Sequence, residues 1–253
     1  MSSSLKVLSY NIWFDKTLYL ERLLALLQVI KKEDPDVICL QEVRPNIFEI
    51  LKNELVNYKF FFPYKLDKTY GCIIFSRIKM SKCLEYKFNN SKMGRSLVII
   101  KIDLPHNIEI VIINSHFESL FNKIQINDGK IEQYKISKNI MDYLFGKYKN
   151  VILCADTNVM SHEEYTFLEL FENDGWIDCL VANNNQENNY TYDSENNIYL
   201  NKKLDKKSYK SRIDRCIFKG QNVFVTDFKT IDGKNYFVEP SDHYGILSTF
   251  SIL

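Results

Sequence analysis

Short runs of β-branched and other apolar residues recur from one end of the chain to the other, and helical periodicity fills several of the gaps between them. Leu5 to Ser9, Val37 to Leu40, Gly71 to Phe75, Ser96 to Ile102, Glu109 to Asn114, Val151 to Ala155, Ile213 to Phe218, Val223 to Phe228 and Gly245 to Ile252 read as strands. Leu20, Leu23, Leu24, Leu27 and Ile30 mark one helical face, which Pro35 closes, and further helices are expected around Ile131 to Leu144 and Glu163 to Glu172. Strands alternating with helices specify an α/β protein. A chain of 253 residues, 45% apolar, is long enough to bury one core, so a single domain over 1–253 is expected. Antiparallel pairing is expected among the runs between 70 and 115. The Asn-, Lys- and Tyr-rich stretch Asn183 to Lys210 reads as long loops.

Each apolar run is broken by a charge before it reaches the roughly 20 residues that cross a bilayer, so a soluble protein with no membrane partner is expected. Ser2-Ser3-Ser4 leads into a strand instead of a basic and then apolar leader, so the protein is expected inside a cell, in nucleus or cytoplasm. The frequency of Lys, Asn, Ile and Tyr is that of an AT-rich genome such as a virus or a protist, and the host cell of a virus is one such setting. The six cysteines show no CxxC spacing and several lie in apolar runs, which favours buried free thiols over zinc or disulfides. With 33 basic and 32 acidic side chains the net charge is +1, so any grip on a polyanion must come from a local patch. Lys202, Lys203, Lys206, Lys207, Lys210, Arg212 and Arg215 form such a cluster, or else a solvated Lys-rich loop.

Polar residues collect at the strand ends, where α/β proteins assemble their sites: Asn11, Glu42, His116 with Glu118, Asp156 with Asn158, then Asp214 and Asp242-His243. Glu42, Asp242 and Asn11 offer hard oxygen ligands, which suit Mg²⁺ better than zinc. His243 could meet a phosphoryl oxygen as imidazolium with Asp214 fixing its tautomer, and Asp156 could orient or deprotonate an attacking water. Taken singly, each has an ordinary reading. Asn11 and Asn158 serve as turn residues, lone carboxylates as helix caps, and His116 or His243 as structural hydrogen-bonders.

In order, the motifs are Leu8-Ser9-Tyr10-Asn11-Ile12, Leu40-Gln41-Glu42-Val43, Ser115-His116-Phe117-Glu118-Ser119, Ala155-Asp156-Thr157-Asn158, Arg212-Ile213-Asp214-Arg215 and Ser241-Asp242-His243-Tyr244-Gly245. Their order and spacing resemble the endonuclease/exonuclease/phosphatase superfamily. His-Phe-Glu-Ser, Asp-Thr-Asn, Met93-Gly94-Arg95 and the aromatic residue after His243 look like its 5′-tyrosyl-DNA phosphodiesterases. Thr191-Tyr192-Asp193-Ser194 departs from that subgroup's Thr-Trp-Asp-Thr, and Phe121 stands where Arg is frequent.

The resemblance implies a four-layer α/β/β/α sandwich, two packed mixed β-sheets flanked by helices. It implies that Glu42, as direct ligand, with Asp242 and Asn11 holds or orients Mg²⁺, for which Mn²⁺ can substitute. Asp156 and Asn158 would position the nucleophilic water and the phosphate, His116 and His243 would grip phosphate oxygens, and Asp214 would buttress His243. Arg95 and Tyr192 would sit together near the leaving group, with Ser119 a candidate for a hydrogen bond near metal or phosphate.

The implied reaction is hydrolysis of the 5′-phosphotyrosyl bond between protein and DNA, at a single-stranded end, to leave a 5′-phosphate in DNA repair. Protein-primed RNA is the other substrate, and the enzyme is expected to be a monomer. The competing reading is another nuclease of the superfamily, an apurinic endonuclease or a ribonuclease.

Overall fold

The computed structural model describes residues 3–119, 128–160, 163–183, 189–203 and 208–253. Its strands are β1 (Ser3–Asn11), β2 (Val37–Val43), β3 (Phe60–Phe62), β4 (Gly71–Ser76), β5 (Met80–Lys87), β6 (Ser96–Leu104), β7 (Ile108–His116), β8 (Asn150–Asp156), β9 (Ile177–Asp178), β10 (Tyr192–Asp193), β11 (Lys210–Ser211), β12 (Asp214–Gly220), β13 (Val223–Ile231) and β14 (Gly245–Ile252). The helices are α1 (Tyr19–Glu33), α2 (Pro45–Glu54), α3 (Asp128–Tyr148), α4 (Glu164–Glu172), α5 (Cys179–Ala182) and α6 (Ile198–Lys203).

Two six-stranded sheets form, in the orders β13-β14-β1-β2-β4-β3 and β5-β6-β7-β8-β12-β9. Each is mixed, with one parallel pair at its centre, β1 with β2 and β7 with β8. In each, a helix crosses between the parallel strands, α1 in the first and α3 in the second. Apolar side chains of both sheets meet between them, among them Val7, Ile74 and Phe250 from one and Ile100, Ile112 and Ile152 from the other. A second apolar layer lies between the first sheet and α1 and α2, and a third between the second sheet and α3 and α4. Three apolar layers between four structural ones make the expected α/β/β/α sandwich.

The buried face of α1 is Leu23, Leu26, Val29 and Ile30 with Arg22 and Ala25, whereas Leu20 and Leu24 face outward. The expected helical face was therefore rotated, because apolar residues on both sides of α1 satisfy the same spacing rule. α2 carried no expectation, although Pro45 at its first turn is a start signal. β4 pairs with β2 and β3 in the first sheet, not with its expected neighbours of the 70–115 region. β6 pairs antiparallel with β7 as expected, and its other neighbour is β5, an edge strand whose largely exposed residues mask its β pattern.

The six cysteines are free, and five of them are buried. Among the described residues no helix is long and apolar enough to cross a membrane.

The sheets are also tied by polar groups. Gln41 Nε2 donates to Asn114 Oδ1 (2.8 Å), and Asn114 Nδ2 lies 2.9 Å from both the Leu40 and Ile73 carbonyls. Gly245 opens β14 where any side chain would collide with the Tyr10 ring. This places the turn carrying Asp242 and His243 directly against the end of β1.

Candidate active site

Asn11 ends β1, Glu42 lies near the end of β2, His116 ends β7 and Asp156 ends β8, while Asp214 begins β12 opposite Asp156. His116 and Asp156 are register partners in the parallel pair. Glu42 sits at φ +59° where the β2–β4 ladder loses register, a bulge that turns its carboxylate off the sheet. Asn11 Nδ2 donates to Glu42 Oε1 (3.2 Å) and Asp156 Oδ2 (2.8 Å), and its Oδ1 accepts from Trp13 N (3.0 Å). In this arrangement Asn11 fixes two carboxylates and keeps its own oxygen on the backbone.

His116 Nδ1 lies 2.8 Å from Arg95 Nη1. Guanidinium only donates, so Nδ1 must be the acceptor and the ring's proton sits on Nε2, which is 3.3 Å from Asp156 Oδ2. Burial, the Arg95 charge and the His243 charge all hold the His116 pKa well below its ordinary value, so this imidazole is neutral. His243 is its opposite. Burial alone would lower its pKa, but Asp214 and Asp156 outweigh burial and hold it up to about 10. Its Nδ1 donates to Asp214 Oδ2 at 2.9 Å, leaving Nε2 3.9 Å from Asp156 Oδ2. Asp214 is itself positioned by Thr191, whose hydroxyl accepts from the backbone N–H of Asp214 (3.0 Å).

Asp156 is buried at 1% exposure. Burial lifts its carboxyl to about 7, with the His243 charge opposing and Asp214 and Glu42 adding to the rise. Asp156 Oδ1 accepts from Asn158 N (3.1 Å), and Asn158 Nδ2 donates to the Phe117 carbonyl (3.0 Å). The Asn158 carbonyl in turn accepts from Lys130 Nζ (2.7 Å), a buried lysine that also meets Glu163 at 2.6 Å. Sequence reasoning missed Lys130, which has no motif around it.

Asp156, Asp214 and His243 lie close enough together to hold a metal ion. An imidazolium already donating to Asp214 is a poor ligand, since a metal needs the neutral ring. Glu42 fits a divalent cation better. Its pKa is raised by burial and then by the neighbouring Asp242 charge, and a cation between the two would reverse both effects. Only Phe14 N (2.9 Å) and Asn11 Nδ2 donate to Glu42 among the described residues, so its carboxylate keeps lone pairs for an ion.

Glu42, His116, Asp156, Asn158, Asp242 and His243 line a cleft of about 940 Å³ whose walls also include Trp13, Phe14, Tyr192, Ile198, Tyr199 and Tyr209. Arg95, Tyr192 and Ser119 all reach it. Arg95 and Tyr192 do not stack, however. The ring beside Arg95 is Tyr70, at 5.7 Å, whereas Tyr192 stands edge-on to His243 at 5.1 Å and 72°. Tyr70 also stacks on Phe14, at 4.6 Å and 9°, and one tyrosine among 16 gave the sequence no signal for it. Ser119 Oγ meets Met93 Sδ at 3.4 Å. Among the described residues no carboxylate pairs with Arg95.

Glu118, predicted only as a strand-end acid, accepts from Ser91 Oγ (2.7 Å), Lys92 N (3.0 Å) and Met93 N (3.1 Å) and so fixes the loop that leads to Arg95. The Asn183 to Lys210 stretch is, in its described residues 189–203 and 208–210, more regular than expected. β10, β11 and α6 lie in it, and Thr191, Asn197 and Leu200 are buried. The described members of the basic cluster are committed elsewhere. Arg212 and Arg215 pair with Asp178 and Glu164, and Lys210 with Glu195 at 2.6 Å. The Lys202 and Lys203 side chains, together with Lys206, Lys207 and Phe121, lie outside the described residues.

A model of the Endonuclease/Exonuclease/phosphatase family matches residues 8–243. Tyrosyl-DNA phosphodiesterase 2 of Bos taurus is 26% identical over 270 residues, covering 98% of this chain and 68% of the relative. The 5′-tyrosyl-DNA phosphodiesterase of Caenorhabditis briggsae is 26% identical over 264 residues, covering 98% and 69%. The crystal structure of D. rerio TDP2 complexed with single strand DNA product superposes with a TM-score of 0.85 at 24% identity, covering 98% of this chain and 99% of that one.

Proposed function

The chain belongs to the endonuclease/exonuclease/phosphatase family, and from that premise we propose that it hydrolyses 5′-phosphotyrosyl bonds between protein and DNA, leaving a 5′-phosphate, as a DNA-repair phosphodiesterase. The observation that carries this reading is the meeting of a neutral His116, a charged His243 and a buried Asp156 with Arg95 at one end of an aromatic cleft. Similarity over 98% of this chain to proteins named for this reaction supports it.

In this reading His243, held as imidazolium by Asp214, and the Nε2–H of His116 both donate to non-bridging oxygens of the phosphate. Asp156, oriented by Asn11 and by the backbone of Asn158, accepts the proton of the attacking water. The Asn158 carboxamide helps to place that water and the phosphate. Arg95 stands on the leaving-group side, with Tyr70 against its guanidinium and Tyr192 across the cleft. A phenol with a pKa of about 10 departs with little proton assistance, so a fixed cation such as Arg95 is a sufficient stabiliser.

Glu42 and Asp242 would hold Mg²⁺, or Mn²⁺ in its place, with Asn11 orienting Glu42. When bound, the ion supplies positive charge against the charge that builds on the phosphate. Ser119 sits where a hydrogen bond to the substrate can form. The strand is expected to be a single-stranded DNA end, with a protein-primed RNA as the second substrate, and the enzyme is expected to act as a monomer within one domain.

The test is turnover of a 5′-tyrosyl single-stranded oligonucleotide with and without Mg²⁺, beside an abasic duplex and an RNA strand. Cleavage of the tyrosyl substrate alone is expected. Preferential incision of the abasic duplex or the RNA would replace this reading with the apurinic-endonuclease or ribonuclease one.

A further inference from the structure

A second hollow, of about 80 Å³, adjoins the main cleft and shares Glu42, Tyr70, Met93, Arg95 and His116 with it. Its other walls differ in kind. Beyond its catalytic groups the main cleft is walled by aromatic and aliphatic side chains, whereas the smaller hollow is ringed by Lys65, Lys68 and Lys87, with Asp67 and Glu85 beside them and Pro63 and Leu66 as its apolar surface. Tyr70 is the wall common to both, held by its stack on Phe14.

Hydrolysis of a protein–nucleic acid diester separates two bodies at one phosphorus, and they must leave by different routes. A nucleotide strand, with flat bases to stack, matches the wide aromatic cleft. The smaller hollow falls well short of the roughly 300 Å³ at which small-molecule sites begin, so it admits a side chain or the edge of an extended peptide but no nucleotide. It also opens from Arg95, on the side assigned to the leaving tyrosine.

We propose that this hollow and its lysine rim form a peptide subsite, which takes the residues flanking the scissile tyrosine and favours acidic ones. The proposal rests on the phosphotyrosyl reading above. Lys68 is structural, donating to the Gly94 carbonyl at 2.5 Å and lying 3.7 Å from Glu85. Gly94 takes φ +71°, a backbone conformation that a side chain would strain. Lys65 and Lys87 are the recruiting cations. Lys65 pairs with Asp67 at 2.6 Å with both side chains mostly exposed, a pair weak enough to exchange for a peptide carboxylate. Lys87 is exposed and has no salt bridge among the described residues.

The experiment compares 5′-tyrosyl oligonucleotides whose tyrosine lies in a Glu-flanked or a Lys-flanked pentapeptide. Both kcat/KM with Mg²⁺ and binding in chelator, by fluorescence anisotropy, are measured. The Glu-flanked adduct is expected to be favoured about 3- to 10-fold, with the preference collapsing at about 1 M salt. The Lys65→Glu, Lys87→Glu double variant is expected to reverse the order.

Equal values for the two adducts, with the tyrosyl bond still cleaved, overturn the subsite and leave the reaction standing. Loss of affinity for a bare 5′-phosphorylated strand as large as that for the adducts assigns the rim to the strand and also overturns it. Failure to bind or cleave any adduct overturns the subsite together with the reaction.

Discussion

The two sheets repeat one device, a parallel strand pair joined by a helix with a polar residue at each strand end, yet they arm it differently. In the first, β1 and β2 deliver Asn11 and Glu42; in the second, β7 and β8 deliver His116 and Asp156. Asn11 Nδ2 bridges the two sets by donating to both carboxylates. One half presents a carboxylate whose pKa is raised by burial and by Asp242, an environment that a cation would relieve. The other presents a neutral imidazole and a carboxyl lifted to about 7, which suits proton transfer. In the proposed mechanism the same backbone geometry would serve ion binding on one side and acid–base chemistry on the other, the division being set by charge environment.

If that division holds, the largest loss comes from the ion-binding half. Glu42→Gln is expected to lower kcat by about 10³-fold or more, the scale of several kcal/mol of charge stabilisation, and chelator should do the same to the unaltered enzyme. Undiminished turnover in excess chelator breaks the assignment of the first half. In the second half Asp156→Asn and His243→Ala are each expected to lower kcat by about 10²-fold, with the Mg²⁺ concentration for half-maximal activity little changed. A shift in that concentration as large as the one caused by Glu42→Gln would erase the distinction between the halves.

Arg95→Ala tests the leaving-group end. The loss should be about tenfold greater on a tyrosyl oligonucleotide than on p-nitrophenyl thymidine-5′-phosphate, whose leaving group needs less stabilisation. Equal losses would mean that Arg95 serves only to fix the His116 tautomer, a contact that both substrates use.

The smallest effect is a displacement in pH. In the proposed mechanism His243 works as the cation, so its contribution is expected below its raised pKa and lost as pH rises through about 10. Asp156, proposed to work as the anion, is expected to lose its contribution as pH falls through about 7. Asp214→Asn removes the strongest support of the imidazolium and should move the alkaline limb of kcat/KM to lower pH by about one unit, leaving the acid limb nearly in place. An unmoved alkaline limb would detach His243 from that limb.

Much of the site could be read in the sequence because strand ends are local features. An apolar run followed by Asn, Glu, His or Asp is visible in a few residues, and four such segments, with Asp214 and Asp242-His243 just ahead of two further strands, identify the family in their order. What failed was whatever depended on faces and edges. Leu20 and Leu24 satisfied the helical spacing of α1 but lie on its solvent side. β5 hid behind the mostly exposed residues of an edge strand. The stretch after Asn183 looked like solvated loop, yet its Thr191 fixes Asp214.

By itself the sequence determined the chemical inventory and its order, since which residue ends each strand is fixed by local pattern. Only the tertiary structure decided how those groups act on one another. Asn11 and Asp156 meet across 145 residues of chain, and His116 takes its tautomer from Arg95, 21 residues away on a neighbouring segment. The partner of Arg95 is Tyr70 and not Tyr192, and Arg212 and Arg215 are spent on Asp178 and Glu164. The physical reason is that hydrogen-bond direction and Coulomb energy depend on distance in space and on exclusion of water. A linear sequence specifies neither until the two sheets have closed on each other.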